Sequence, residues 1–127
     1  METGATIDFW GVVREMEGGA NIIGIDYEAH REMAQHQLER VAEQAREKFQ
    51  LTQVAIWHRI GFVPVGEASL MVRVGSRHRA AAFRASASIV DELKKRAPIW
   101  KHPVFKGVPK EDVPRAKEEP GMMASSA

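Results

Sequence analysis

Residues 5–14, ATIDFWGVVR, alternate between two sets, with Ile7, Phe9, Gly11 and Val13 on one side and Thr6, Asp8, Trp10, Val12 and Arg14 on the other. A period of two is the mark of a β-strand with one face turned inward. After the Gly18-Gly19 turn, IIGIDYEA resumes the alternation through Ile23, Ile25 and Tyr27. The two segments are expected to pair as an antiparallel hairpin with a loop of several residues. From about His30 to Phe49 the period lengthens, and Ala34, Leu38, Val41, Ala42, Ala45 and Phe49 form one helical stripe among charged neighbours. This predicts an amphipathic helix lying on a sheet.

Residues 52–75 return to alternation, through Val54, Ile56, His58 and Ile60 and then Leu70, Val72 and Val74, with an interruption at Pro64 and Gly66. Two or three strands are expected there. Ser76 is the candidate N-cap of a second helix running to about Arg96, with Ala82, Phe83, Ser86, Ile89, Val90 and Leu93 as its inner stripe and Pro98 as its stop. IWKHPVF, residues 99–105, reads as a short edge strand limited by Pro103. The order β-β-α-β-(β)-β-α-(β) predicts an α+β domain with a mostly antiparallel sheet and two main helices. Residues 1–105 are assigned to that one domain. Residues 106–127, KGVPKEDVPRAKEEPGMMASSA, hold three prolines and balanced charges and are expected to be disordered.

Composition narrows the chemistry. With 127 residues the chain has room for one core, and no apolar run approaches the ~20 residues that cross a bilayer. METGATIDFW has neither a basic start nor a continuous apolar stretch, so no secretory signal is read there, and a soluble, cytoplasmic protein is expected. The absence of cysteine excludes disulfides, thiolate metal sites and a cysteine nucleophile. Any sulfur handled here must arrive on another molecule. Eighteen basic against seventeen acidic residues leave a formal charge of +1, so no global field draws the chain to nucleic acid and an anion must be met by a local cluster.

Two stretches supply such clusters. GSRHRAAAF puts Arg77, His78 and Arg79 at the start of the second helix, where the dipole favours acids. Either this is a solvated basic turn or the cations and free N–H groups form an anion site. LKKRAPIWK closes the same helix with Lys94, Lys95 and Arg96 and leads through Pro98, Ile99 and Trp100 to Lys101. Cations in a last turn are ordinary, but apolar neighbours expected to be buried would pin Lys101 against the protein body, where a lysine can donate or accept protons or act as nucleophile. His58 and Arg59 lie in a central strand, and for His58 a hydrogen-bonded structural role is the plain reading. His30, His36 and His102 lack metal-ligand spacing, so neither a metal site nor a resident cofactor is expected. No phosphate loop or nucleophile elbow is present.

FWGVVRE, IDYEAHREMA, VAIWHRIGFVPVGEASLMVRVGSRHRAAAF and DELKKRAPIWK together resemble, in order and spacing, the large catalytic subunit of molybdopterin synthase, the MoaE family, over about residues 4–101. The resemblance implies an α/β-hammerhead fold and a homodimer at the centre of a heterotetramer. It also implies a small ubiquitin-like MoaD-type sulfur-carrier subunit whose C-terminal Gly-Gly bears a thiocarboxylate. Sulfur then passes to cyclic pyranopterin monophosphate to form the dithiolene of molybdopterin, a step of molybdenum cofactor biosynthesis. By the same resemblance Lys94 and Lys101 are the active-site lysines, Arg14 is the arginine of the first hairpin, and His78 and Arg79 reach the substrate phosphate from the other copy. Family members commonly carry an extra strand and helix ahead of the first segment, and the stretch after IWK, here HPVFKGVP, differs from theirs. The alternative is a non-catalytic MoaE-like dimeric scaffold for a ubiquitin-like partner. Such a scaffold needs none of these five cationic side chains.

Overall fold

The computed structural model describes residues 2–114 and 121–126. Its elements run β1 (Ala5–Val12), β2 (Met16–Glu17), β3 (Ala20–Ala29), α1 (Arg31–Lys48), β4 (Gln53–His58), β5 (Gly61–Pro64), β6 (Ala68–Ser76), α2 (Arg79–Arg96), β7 (Ile99–Phe105) and β8 (Met122–Ser126). One antiparallel sheet has the order β1-β6-β4-β8, and a second joins β2, β3 and β5, with β7 also paired to β3. This is the α+β architecture expected from the alternating periods. Both helices cover one face of the first sheet. There Leu38 and Val41 of α1, Ile89 and Leu93 of α2, Val54 and Ile56 of β4, and Val72 and Val74 of β6 share one core. A smaller core of Val13, Ile22, Ile25, Tyr27 and Val63 belongs to the second sheet, and Ile99 packs against both.

The helix stripes follow from sequence periodicity. In α1 the buried residues are Ala34, Leu38, Val41, Ala42 and Ala45, the spacing of one helical face, and the His30 ring accepts a hydrogen bond from the Met33 N–H as N-cap. In α2 they are Ala82, Ala85, Ser86, Ile89 and Leu93. Phe83, expected on this stripe, is instead 62% exposed, because a stripe centred on Ala82, Ile89 and Leu93 leaves it on the flank. The N-cap also differs. Ser76 ends β6 and its hydroxyl donates to the His78 carbonyl, while His78 caps α2 without a side-chain hydrogen bond.

Two expectations about the strands are corrected. The first two long strands do not form a hairpin with each other. β1 pairs along its length with β6, and β3 pairs with β5 and β7, while the two-residue loop Gly18-Gly19, both at positive φ, joins only the short β2 to β3. The inward residues of β1, such as Ile7 and Phe9, pack on the helix-covered core, whereas Ile22, Ile25 and Tyr27 of β3 belong to the other. A single paired ribbon could not serve both. The Val13 N–H donates to the Glu67 carbonyl at 2.9 Å, turning the chain out of the first sheet.

The second correction concerns the tail. Residues 122–126 are a strand on the free edge of β4, in register from Val54 with Ser126 to His58 with Met122. Met122 and Ala124 are 3% exposed and belong to the main core. The Gln35 side chain donates to the Met123 carbonyl at 2.8 Å and Arg46 to the Ser126 hydroxyl at 2.7 Å. Covering the edge of β4 satisfies backbone groups that would otherwise be open, which outweighs the proline-rich average of the segment. The part of the expected tail over 115–120, and residue 127, lie outside the described residues.

Candidate functional site

Where the two sheets and the end of α2 meet, they line a partly open cavity of about 670 Å³. Phe9, Ile25, Leu38, Ile56, Leu93 and Ile99 form the apolar part of its wall, and its cations are Arg14, Lys94 and Lys101. Side chains from three parts of the fold therefore line one space. Arg14 follows the end of β1, held by the buried Val13. Lys94 stands in the last turn of α2 beside the buried Leu93, and Ala97 ends the helix with its N–H bonded to the Leu93 carbonyl at 3.0 Å. Lys101 is held by strand pairing, opposite Tyr27 of β3. The expected burial of Trp100 does not occur, since its side chain is 51% exposed. Backbone pairing, not an apolar plug, fixes Lys101.

His78 and Arg79 are not among the lining residues. At about 1.5 Å per residue, Arg79 lies about 22 Å from Lys94 along the axis of α2, beyond the reach of side chains in one copy. Both are exposed, and the first turn of α2 contains no acid.

Four further polar residues line the cavity: Glu17, Tyr27, His58 and Ser69. The His58 ring packs edge-on to Tyr27, with centroids 5.1 Å apart at 75°, and its Nδ1 is 2.7 Å from the Arg59 carbonyl oxygen. Burial lowers the His58 pKa from its ordinary value, the Arg59 carbonyl works against this, and the charge of Lys101 adds to the lowering. Burial raises the Tyr27 pKa, opposed by a hydrogen bond with Ser69 and helped by the negative charge of Glu17, so Tyr27 stays a phenol. Sequence reasoning treated His58 as structural and did not single out Tyr27, Ser69 or Glu17. The available signal was that His58 shares the inward parity of Val54 and Ile56. Among the described residues no group of three or more His, Asp or Glu could hold a metal ion, and no helix is long and apolar enough to cross a membrane.

The fold and cavity define a class: an α+β protein in which two antiparallel sheets and a helix end present several cations to an apolar-walled space, suited to holding anionic groups out of bulk water. Residues 1–96 match the family described as MoaE protein. The chain belongs to that family. It is 44% identical over 102 residues to the molybdopterin synthase catalytic subunit of Pyrococcus abyssi, covering 80% of this chain and 69% of the relative. It is 38% identical over 104 residues to that of Thermoplasma volcanium, covering 82% and 76%. Among solved structures, molybdopterin synthase from Staphylococcus aureus superposes with a TM-score of 0.76 at 31% identity, over 83% of this chain and 77% of the other.

Proposed function

We propose that this chain is the sulfur-transferring catalytic subunit of a molybdopterin synthase, and that Arg14, Lys94 and Lys101 of one copy act with His78 and Arg79 of a second. The observation that carries the reading is the convergence of Arg14, Lys94 and Lys101 on one apolar-walled cavity. A thiocarboxylate and a cyclic phosphate are both anions, and bringing them together requires fixed positive charge and a route for protons. Lys94 and Lys101 supply that charge where the C-terminal tail of a MoaD-type partner meets cyclic pyranopterin monophosphate. The chain lacks cysteine, so the sulfur comes from the partner's thiocarboxylate. On this reading His78 and Arg79, about 22 Å from Lys94 along α2, serve the site of the other copy in a homodimer. We assign the protein to the cytoplasm on the same reading.

The test is reconstitution. The chain, a thiocarboxylated small subunit and cyclic pyranopterin monophosphate should yield a dithiolene. Lys94→Ala should lower turnover by ~10²-fold or more while leaving folding and partner binding nearly intact, the scale of losing a positioned charge or proton-transfer group. Lys95→Ala is the control, because adjacent helical residues point about 100° apart and Lys95 is not among the cavity-lining residues. Equal, small effects at both lysines would sink the assignment.

A further inference from the structure

The chemistry of the proposed transfer leaves one step without a residue. A thiocarboxylate whose sulfur bonds to a substrate carbon, displacing an oxygen substituent from that carbon, joins the tail to the substrate as a thioester. For the sulfur to remain on the substrate, the bond between the tail's carbonyl carbon and that sulfur must break, and water is the acceptor of the acyl group. In balance, thioester and water give the tail carboxylate, a substrate thiolate and two protons. The attacking water must lose a proton as its oxygen bonds to the carbonyl carbon, so the cavity needs a base.

Few of the lining side chains can be that base. Lysine ammonium and arginine guanidinium groups have donors only, which sets aside Arg14, Lys94 and Lys101. Tyr27 is held as a phenol by its burial. His58 and Glu17 remain. Glu17 sits on the two-residue β2, next to the Gly18-Gly19 turn. His58 sits on β4, which is paired on both edges, by β6 and β8. A carbonyl oxygen only accepts, so the 2.7 Å contact with Arg59 places the ring proton on Nδ1. Nε2 then carries the lone pair, and it has no hydrogen-bond partner among the described residues. The edge-on contact with Tyr27 fixes the ring plane. A base locked in one tautomer and one orientation on a central strand is well built for proton abstraction.

We propose that His58 is the general base of this cavity, its neutral Nε2 taking a proton from the water that cleaves the thioester between the partner's tail and the substrate-borne sulfur. One proton goes to Nε2, the second leaves with the new carboxylic acid to solvent, and the sulfur departs as the substrate's thiolate. This rests on the sulfur-transfer reading above. The ionisable groups facing His58 are Tyr27 from β3, Lys101 from β7, Lys94 from α2, Glu17 from β2 and Arg14 after β1, while its neighbours Leu70 and Met122 carry no charge. Burial and the charge of Lys101 favour the neutral imidazole. The cleavage rate should therefore fall as pH drops through a value below the ordinary ~6.5 of histidine.

The experiment is single turnover of the full complex with thiocarboxylated partner and cyclic pyranopterin monophosphate, followed by intact mass across the histidine range. His58→Asn keeps a donor toward the Arg59 carbonyl and lacks the Nε2 base, so it separates proton transfer from structure. The expected result is accumulation of the tail–substrate adduct, cleavage slowed by ~10²-fold, loss of the acid limb, and, at neutral pH, unchanged melting temperature and partner affinity. His58→Gln serves in the same assay if the Asn variant does not fold. The acid limb of the wild type should also coincide with the His58 titration seen by NMR. Cleavage at the wild-type rate with the acid limb retained overturns the proposal, as does transfer of the whole effect to Glu17→Gln. A wild-type complex that forms neither adduct nor dithiolene overturns the sulfur-transfer reading itself, a different outcome from an active wild type with an indifferent His58.

Discussion

Met122→Ala tests how firmly the C-terminal strand belongs to the core. Met122 is 3% exposed and lies with Ile56, Val54 and Ala124 in the helix-covered cluster. Cutting a buried methionine to alanine removes its transfer free energy and leaves a partly unrelaxed hole, typically costing 2–5 kcal/mol in all. β8 is an edge strand with β4 on one side only, so the site can close in part, and the lower half of that range, about 2–3 kcal/mol, is expected. For a domain of this length that corresponds to roughly 10 °C in melting temperature. Met123 is the built-in comparison, since it faces the opposite side at 53% exposure. Its replacement by alanine should change stability by less than about 0.5 kcal/mol. Urea unfolding followed by tryptophan fluorescence is well placed to read both, because Trp57 stands opposite Met123 in the β4–β8 register. The denaturant slope should be unchanged in each variant. Small and equal losses at 122 and 123 would refute a docked β8 and restore the disordered tail.

Two further outcomes are expected. Mixing a Lys94→Ala chain with a His78→Ala/Arg79→Ala chain should restore about a quarter of wild-type turnover from two inactive parents, since half of randomly re-formed two-fold dimers carry one intact site; parents that fail to complement would show that the two clusters do not share a site. Stability should also depend on His58. Its folded pKa is lowered, so the unfolded chain binds the proton more readily, and stability should fall as pH is brought down from about 6.5, levelling off below the folded value. Urea midpoints compared between wild type and His58→Asn across that window isolate this share, and parallel curves would contradict it.

How much of this was legible in the sequence depended on the range of the interaction. Periodicity showed which face each strand and helix turns inward, because that choice is made residue by residue: Ile7 and Phe9 against Thr6 and Asp8, or Leu38 and Val41 in α1. It did not show which strand pairs with which. Neighbouring strands usually pair, and that prior failed at β1 and β3, whose inward residues serve two different cores. The β8 signal was present in MMASS, with Met122 and Ala124 on one parity, but five residues beside Pro114 and Pro120 were outvoted by the composition of the whole segment. Phe83 shows the limit of a stripe read by hydrophobicity alone: the small Ala82 and Ala85 lie inward while the ring stays outside.

The site divides along the same line. Lys101 was visible from its local context, a strand just after a helix end, whereas Lys94 was told apart from Lys95 and Arg96 only by the family resemblance. His58 was not visible, since nothing in WHRIG reveals that a tyrosine from β3 will meet its ring or that Lys101 will stand close enough to oppose its protonation. The cavity itself is a product of closure between sheets whose contacts are long in sequence. Its electrostatics follow from that closure. Arg14, Lys94 and Lys101 are all exposed, so water screens their mutual repulsion and the cluster costs the fold little. On the proposed function, an anionic tail seated against Phe9, Ile25, Leu93 and Ile99 would displace that water. The same three charges would then act across a lower dielectric, where each attraction to an anion is several times stronger. On the proposed function, a cluster that is nearly neutral to stability would act on the reacting anions only when the ligand completes the enclosure.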